Sequence, residues 1–486
     1  MIVRSRLRYL RKLLLSAGAT VALVVGTLVG TVGTSQAAVS LPCDIYAAAG
    51  TPCVAAHSTV RALYATYNGP LYQVKRASDS ATTNIGTLIA GGFANAAAQN
   101  TFCSGTTCTI TEIFDQSPQH NNLTIEGPGG AGGQDVGANA AALPVTVGGH
   151  SVYGVFVSAG VGYRDNATTG VATGGQPQGE YMVASGTHVN NRCCFDYGNV
   201  ETNNRDNGNG HMDAINFGTE CWFAPCSGSG PWVQADLENG LFAGANGSDT
   251  NNHGNSGSYV TALLKNNGQT TYAIKGGNAQ SGSLTTWYNG ALPNLGGYAP
   301  MHQEGAIVLG TGGDNSNGSV GSFFEGVMTS GYPTDAADNA VQANIVSTGY
   351  GQSGGGGFTG PVHGVGSGKC LDVTGASQAN GTATEIWTCN GGANQTWTQA
   401  ASGQLTVYSG TKCLDAVNSQ TTPGTRVDIQ ACTGATNQQW SVNSSGTITG
   451  VQSGLCLDVT GASTANGAAV ELWTCNGQTN QQWTLG

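Results

Sequence analysis

Along most of the chain, apolar positions come in short runs broken by polar or small residues. Tyr153-Gly-Val-Phe-Val157 and Ala306-Ile-Val-Leu309 are two such runs, and clusters of Gly, Asn and Ser separate them from their neighbours. A period of two is that of a strand, and turn residues at this density join strands rather than helices. Over residues 39–350 the pattern predicts an antiparallel β-sandwich. The N-terminus departs from it. Arg4, Arg6, Arg8, Arg11 and Lys12 precede an apolar stretch from about Leu13 to Val32, and small residues follow at Ser35, Ala37 and Ala38. This reads as a cleaved signal peptide over 1–38. The stretch approaches bilayer-spanning length, so a membrane anchor is the competing reading. Its Gly, Ala and Thr content and the small-residue pattern at its end favour cleavage. No Arg-Arg pair points to twin-arginine export.

A second change of pattern falls at Gly351-Gln-Ser-Gly-Gly-Gly-Gly-Phe-Thr-Gly360, a flexible linker by composition. Beyond it, over 361–486, the sequence repeats. Cys370, Cys413 and Cys456 are 43 residues apart, and each has a second Cys 19 residues on. Each repeat opens on Cys-Leu-Asp and closes on Gln-x-Trp, at Trp397, Trp440 and Trp483. A fixed period marks one structural unit used repeatedly. Units this short cannot each bury a core. Closed around a pseudo-threefold axis, they would bury the three Trp and the Leu of each Cys-Leu-Asp, which is a β-trefoil. The fold class is therefore all-β, a sandwich followed by a trefoil. The repeats resemble the ricin B-type lectins and the carbohydrate-binding modules of family 13. That resemblance implies sugar sites at Asp372, Glu385, Trp387, Asn394 and Gln395, and at Asp458, Glu471, Trp473, Asn480 and Gln481. A carboxylate and an amide grip hydroxyls, and an aromatic ring faces the apolar side of the sugar. The second repeat offers Asp415, Asp428, Asn437 and Gln438, but Gln430 replaces the aromatic, so two competent sites and one weak or dead site are expected.

Composition supports strands: 77 Gly and only 9% charged residues disfavour helix. A hydrophobic fraction of 39% suffices for cores. The formal net charge is −11, and removing the five leading positive charges takes it to −16. That balance argues against nucleic-acid and anionic-membrane partners and is compatible with neutral sugars. Fourteen cysteines fall in close pairs: Cys43/Cys53, Cys103/Cys108, Cys193/Cys194, Cys221/Cys226, Cys370/Cys389, Cys413/Cys432 and Cys456/Cys475. Behind a signal peptide an even count reads as disulfides. Zinc would need CxxC-type pairs converging with His, and the spacings do not provide them. Cys193 and Cys194 could instead find separate partners, but no cysteine is left over once the other close pairs form. A bond between them would close an eight-membered ring and require a distorted or cis-like peptide.

No nucleophile elbow, phosphate-binding loop or metal spacing is present; Gly129-Gly-Ala-Gly-Gly133 lacks the Lys-Ser/Thr of a phosphate loop. Carboxylates remain, and glycoside hydrolysis needs two. Two contexts stand out. Trp232-Val-Gln-Ala-Asp-Leu-Glu-Asn239 puts Asp236 and Glu238 on one face of a strand by alternation, and Leu309-Gly-Thr-Gly-Gly-Asp-Asn-Ser316 is a strand running into a Gly-rich turn. The surrounding blocks carry a close resemblance. Pro42-Cys-Asp-Ile-Tyr46, Val54-Ala-Ala-His-Ser58, Ala62-Leu-Tyr64, Leu71-Tyr-Gln-Val-Lys-Arg76, Cys193-Cys-Phe-Asp-Tyr-Gly-Asn199, Gly310-Thr-Gly-Gly-Asp-Asn-Ser316 and Phe324-Glu-Gly-Val-Met-Thr-Ser-Gly-Tyr332 resemble the α-L-arabinofuranosidases of glycoside hydrolase family 54, across nearly all of 41–350.

The resemblance implies Glu238 as nucleophile and Asp314 as acid/base of a retaining mechanism, with substrate contacts at Cys193, Cys194, Trp222, Asp236, Asn239 and Gly313. It implies no cofactor and no metal. A retaining pair sits about 5–5.5 Å apart. One departure is the Cys221/Cys226 pair around Trp222, which lies outside the family pattern. Another is the family-13-like trefoil, where relatives carry a trefoil that binds arabinose side chains; anchoring would move toward xylan backbone or galactose-containing polymers. The implied protein is a secreted monomer acting on plant cell-wall arabinoxylan or arabinan, free of the membrane once the signal is removed. Competing functions are β-xylosidase or galactofuranosidase chemistry in the same pocket, or a non-catalytic lectin.

Overall fold

The computed structural model describes residues 40–247, 249–294, 301–351, 358–399, 403–442 and 446–485. The expected signal segment and residues 352–357 of the expected linker lie outside them.

Two antiparallel sheets face each other over residues 53–330. The first has seven strands, in the order Cys53–Ser58, Gly321–Ser330, Gln178–Ala184, Val260–Asn266, Thr271–Asn278 and Thr285–Ala291, with Val155–Val157 added alongside Gly321–Ser330. The second has ten, in the order Leu241–Phe242, Trp232–Asp236, Asp213–Gly218, Asp196–Val200, Ala306–Leu309, Tyr163–Asp165, Leu123–Ile125, Cys108–Ile113, Pro70–Arg76 and Thr82–Gly86. One continuous core lies between them, holding Tyr72, Tyr163, Tyr181, Phe217, Phe242, Ile307 and Phe323 among others.

The second sheet does not leave its outer face to water. Along Ala306–Leu309 every residue is buried. Ile307 and Leu309 enter the main core, whereas Ala306 and Val308 join Val200, Met212 and Ala214 in a small cluster on the opposite face. Loops cover that face, so the alternation in the sequence separates two buried surfaces rather than core from solvent. Helices are few. The longest, Asp335–Thr348, is capped by Thr334, whose Oγ1 accepts from the Ala337 N–H at 3.2 Å, and it ends at Gly349 in the left-handed region. Lys265 and Lys275 reach from the first sheet to its Asp335 and Asp338, pairing at 2.5–2.9 Å.

Residues 359–485 form the curled antiparallel sheet of the trefoil, with its own core of Leu371, Leu414, Leu457, Trp397, Trp440 and Trp483. Threefold symmetry reaches individual hydrogen bonds: each Trp Nε1 donates to the carbonyl of Leu371, Leu414 or Leu457 at 2.9 Å.

All seven expected disulfides are present, and no cysteine is free. The Cys193–Cys194 peptide is cis. In the trefoil the bonds are Cys370–Cys389, Cys413–Cys432 and Cys456–Cys475. Cysteine is ordinarily among the most buried residues, and Cys370, Cys413 and Cys456 follow that rule. Cys389, Cys432 and Cys475 do not; all three are exposed. The reason is their place in the hairpin. Cys432 directly follows the strand Thr425–Ala431, and Cys475 comes two residues after Ala468–Trp473. Each bond therefore staples the solvent-facing end of a hairpin to a buried strand. Cys432 and Cys475 are structural members of these staples, and neither lines the cavity that holds the candidate catalytic acids.

Candidate active site

The strand Trp232–Asp236 ends at Asp236. Glu238 is therefore not on the same strand face as Asp236, contrary to the expectation from alternation. It stands in the turn beyond, at φ +71°, a left-handed conformation that a non-glycine residue holds only when its surroundings fix it. They do so through both main chain and side chain. The Glu238 N–H donates to Asp236 Oδ1 at 2.9 Å. Its carboxylate accepts three backbone N–H bonds, from Asn207 (2.8 Å) and Gly208 (2.6 Å) at Oε1 and from His211 (2.8 Å) at Oε2. The turn tips Glu238 into the cavity that Asp236 also lines.

Asp314 follows Ala306–Leu309, in the Gly-rich turn that the sequence pointed to. Its Oδ1 accepts from the Ser316 N–H at 3.0 Å and from the Ser316 hydroxyl. The glycine string at 129–133, without meaning as a phosphate loop, braces this turn. Ala131 N–H donates to the Asp314 carbonyl at 2.9 Å, and Asn315 Nδ2 donates to the carbonyls of Gly127 and Gly133 at 2.8 and 2.7 Å. A side chain at Gly129 would collide with the Asp314 backbone. From the other side Arg164, on Tyr163–Asp165 and almost fully buried, donates to the Gly313 carbonyl (2.9 Å), the Glu126 carboxylate (3.0 Å) and the Glu201 carbonyl.

Together these elements enclose a cavity of about 170 Å³. Of the sequence-derived contacts, Cys193, Cys194, Trp222, Asp236, Glu238, Gly313 and Asp314 all line it. Trp222 is 52% exposed, at the rim of a loop closed by Cys221–Cys226. Asn239 is not among the lining residues; it is exposed, and its Oδ1 accepts from the Asn209 N–H at 3.0 Å, holding the loop that presents three N–H groups to Glu238. The sequence reading missed Asp206, Met212, Leu241 and Ser316, which also line the cavity. Ser316 was within reach, because a hydroxyl two residues after an acid commonly bonds back to it.

The electrostatics are dominated by crowded acids. Burial pushes the Asp236 carboxyl up to about 7. Asp196, deeper on Asp196–Val200, is raised by burial and by the charge of Asp236. Asp206 is raised by partial burial and by the charges of Glu238 and Asp314. Cys193, Cys194 and Asp236 cluster closely, as do His363, Cys370 and Cys389, but these cysteines are disulfide-bonded and offer no thiolate. Glu201, Asp206 and Glu238 also bring carboxylate oxygens within 4.8 Å of one another, yet the Glu238 oxygens are taken up by N–H donors, a set suited to hydrogen bonding.

In the trefoil, Asp372 Oδ2 accepts from Asn394 Nδ2 (2.8 Å) and Gln395 Nε2 (2.7 Å), and Asp458 Oδ2 accepts from Asn480 (2.9 Å) and Gln481 (2.8 Å). Glu385 and Glu471 stand opposite these Asp residues across the strand pairs. Trp387 and Trp473 are 42% and 43% exposed, unlike the buried Trp397, Trp440 and Trp483. Gln395 and Gln481 are buried, and their amides also bond to backbone, so they orient the Asp rather than face solvent. The second repeat differs beyond its missing aromatic. Gln430 Nε2 donates to Asp428 Oδ2 at 3.1 Å.

Residues 42–351 match the family described as alpha-L-arabinofuranosidase B, catalytic, and residues 358–483 match the ricin-type beta-trefoil lectin domain. A probable alpha-L-arabinofuranosidase B of Aspergillus fumigatus is 59% identical over 329 residues, which are 66% of this chain and 64% of that protein. An arabinofuranosidase/B-xylosidase of Trichoderma koningii is 59% identical over 318 residues, 64% of this chain and 63% of that one. The chain thus spans slightly less than two thirds of the length of these curated relatives. A solved structure of an arabinofuranosidase complexed with arabinofuranosyl-alpha-1,2-xylobiose is similar at a TM-score of 0.63 and 38% identity, over 91% of this chain and 98% of that chain. With this sandwich, this cavity and these matches, the chain belongs to the arabinofuranosidase B catalytic family, joined to a ricin-type β-trefoil lectin domain.

Proposed function

We propose that the protein is a secreted, retaining α-L-arabinofuranosidase that removes terminal L-arabinofuranosyl residues from arabinoxylan or arabinan. The observation that carries this reading is the single cavity in which Glu238 and Asp314 meet, walled by Cys193–Cys194 and Trp222. Asp314 protonates the glycosidic oxygen while Glu238 attacks the anomeric carbon, giving a covalent glycosyl-enzyme. Water then attacks that carbon, Asp314 takes its proton, and the sugar leaves with its configuration retained. The N–H groups that fix Glu238 hold the attacking oxygen in place, and Asp236 is placed to accept from a sugar hydroxyl. The narrow cavity suits one terminal sugar. The seven disulfides fit an extracellular enzyme, and among the described residues no helix is long and apolar enough to cross a membrane. The trefoil tethers the enzyme to polysaccharide through the first and third repeats.

Hydrolysis of 4-nitrophenyl α-L-arabinofuranoside tests the reading. Wild-type protein turns it over, and Glu238→Gln loses about 10³-fold or more of kcat. Wild-type activity that survives the substitution sinks the nucleophile assignment. NMR of the first-formed sugar from arabinoxylan reports its identity and anomer together; an inverted product excludes the covalent step. The name of the Trichoderma koningii relative favours β-xylosidase as a second activity. If both share the cavity, Glu238→Gln removes aryl β-xyloside hydrolysis in the same proportion.

A further inference from the structure

The proposed chemistry uses Glu238 and Asp314, and a third acid stands directly behind them. Glu201 follows the strand Asp196–Val200 and is fully buried. No N–H or O–H of another residue donates to either of its carboxyl oxygens. One of these oxygens lies within 4.8 Å of carboxylate oxygens of Glu238 and Asp206. Its main chain is held by Arg164. Beside it, Gly313 leaves room for the carboxyl, because a methyl group there would collide with Glu201 Oε2.

Two carboxyl groups this close in a buried site do not both carry charge. Glu238 has three backbone donors aimed at it, which suits a group that only accepts. Glu201 has no such set from neighbouring residues, so the proton between them belongs to Glu201. Burial pushes the Glu201 carboxyl up to about 9, opposed by its own backbone N–H and helped by the charges of Glu238 and Asp236. The charged groups facing it are Glu238, Asp236, Asp206 and Arg164.

We propose that Glu201 is a positioning residue that, as a neutral acid, donates a hydrogen bond to Glu238 and eases its departure from the sugar in the second half of the reaction. This rests on the retaining arabinofuranosidase reading. In that half, water attacks the anomeric carbon and gives its proton to Asp314. The bond between that carbon and the Glu238 oxygen breaks, and its electron pair returns to the carboxylate. Glu201 transfers no proton. Its hydrogen bond strengthens as charge returns to Glu238, so it lowers the barrier of this step. In the first half the same bond opposes the loss of charge, so its removal does not slow attack.

With an activated aryl arabinofuranoside, the second half limits turnover. Glu201→Leu is expected to lower kcat about 10-fold and KM by a similar factor, leaving kcat/KM within about 3-fold of wild type. Glu201→Gln keeps an N–H donor and is expected to keep kcat within about 3-fold. A merely structural role would lower kcat/KM without lowering KM, and that result, or an unchanged kcat in Glu201→Leu, overturns the inference. Should Glu201→Leu not fold, the Gln variant still decides. Turnover of the trapped glycosyl-enzyme in wild type should decline at alkaline pH as Glu201 ionises, and in Glu201→Gln it should not; an identical decline in both overturns the inference. Wild-type stereochemistry by NMR separates the two levels. Inversion sinks the retaining reading, whereas retention without the KM effect or the pH difference sinks only the role of Glu201.

Discussion

Glu238 shows how much of the site is fixed by a single turn. At φ +71° it leaves the path of its strand, and the Asp236 carboxylate and the 207–211 loop hold it there. Alternation reasoning brought Asp236 and Glu238 together, but for a reason the structure replaces: the strand stops, and the turn, not the pleat, points the second acid inward. Resemblance supplied Glu238 and Asp314, the second inside one of the blocks that carry it. Asp206 and Glu201 sit in no such block, and nothing local distinguishes a buried neutral acid from a solvated one. Gly313 is the most sensitive position by this logic. A methyl group there meets Glu201 and Met212, and the Gly313 carbonyl is already tied to Arg164. Gly313→Ala is expected to lower kcat/KM about 10²-fold by displacing Asp314, while the circular dichroism of the sandwich stays unchanged. Wild-type kinetics in that variant would mean the turn tolerates the shift.

At the scale of elements, the trefoil and the sandwich differ in how far apart partners lie. Lys369–Val373 pairs with Thr382–Trp387 a few residues on, and the same step recurs in each repeat, so period and pairing are visible together. The cysteine spacing follows from the same step, because Cys432 and Cys475 end the hairpins that Cys413 and Cys456 begin. Their exposure was not legible, since spacing names a partner but not a depth. In the sandwich, Cys53–Ser58 pairs with Gly321–Ser330, and no local pattern encodes that long return. Strand character was therefore legible there, but strand order was not. The trefoil also separates its two kinds of Trp. Trp440→Ala should cost the trefoil about 3–5 kcal/mol, because it empties a core position and strands the Leu414 carbonyl. Differential scanning calorimetry would show one transition shifted down. By contrast, Trp387→Ala with Trp473→Ala leaves the fold intact and should abolish pull-down on xylan by more than about 10-fold. If the double variant still binds and Gln430→Ala does not, the assignment of competent repeats is reversed. The bond from Gln430 to Asp428 argues against that outcome, because it occupies a carboxylate oxygen that a sugar would need.

The whole molecule depends on how the trefoil meets the sandwich. A cleft of about 270 Å³ lies between them, lined by Asn95, Ala96 and His150 on one side and by Val365, Trp483 and Leu485 on the other. His150 stacks on Phe93 with ring centroids 4.5 Å apart and faces the backbone at Leu485. Burial pushes its imidazole down to about 4. An unfolded or undocked His150 titrates near its ordinary value of about 6.5. Between these two values the open form binds more protons than the closed one, so stability falls as pH drops from about 6.5 toward 4 and is insensitive to His150 above that window. The loss at pH 5 is about 1 kcal/mol, after allowance for partial solvent access. His150→Phe keeps the stack on Phe93 and cannot take a proton. Thermal unfolding of wild type and His150→Phe at pH 7.5 and pH 5 measures the effect directly. Wild type should lose more stability than the variant on acidification, with the excess confined to the transition in which the trefoil separates. Equal losses in the two proteins would show that His150 does not carry the acid sensitivity, and would leave the cleft a passive joint.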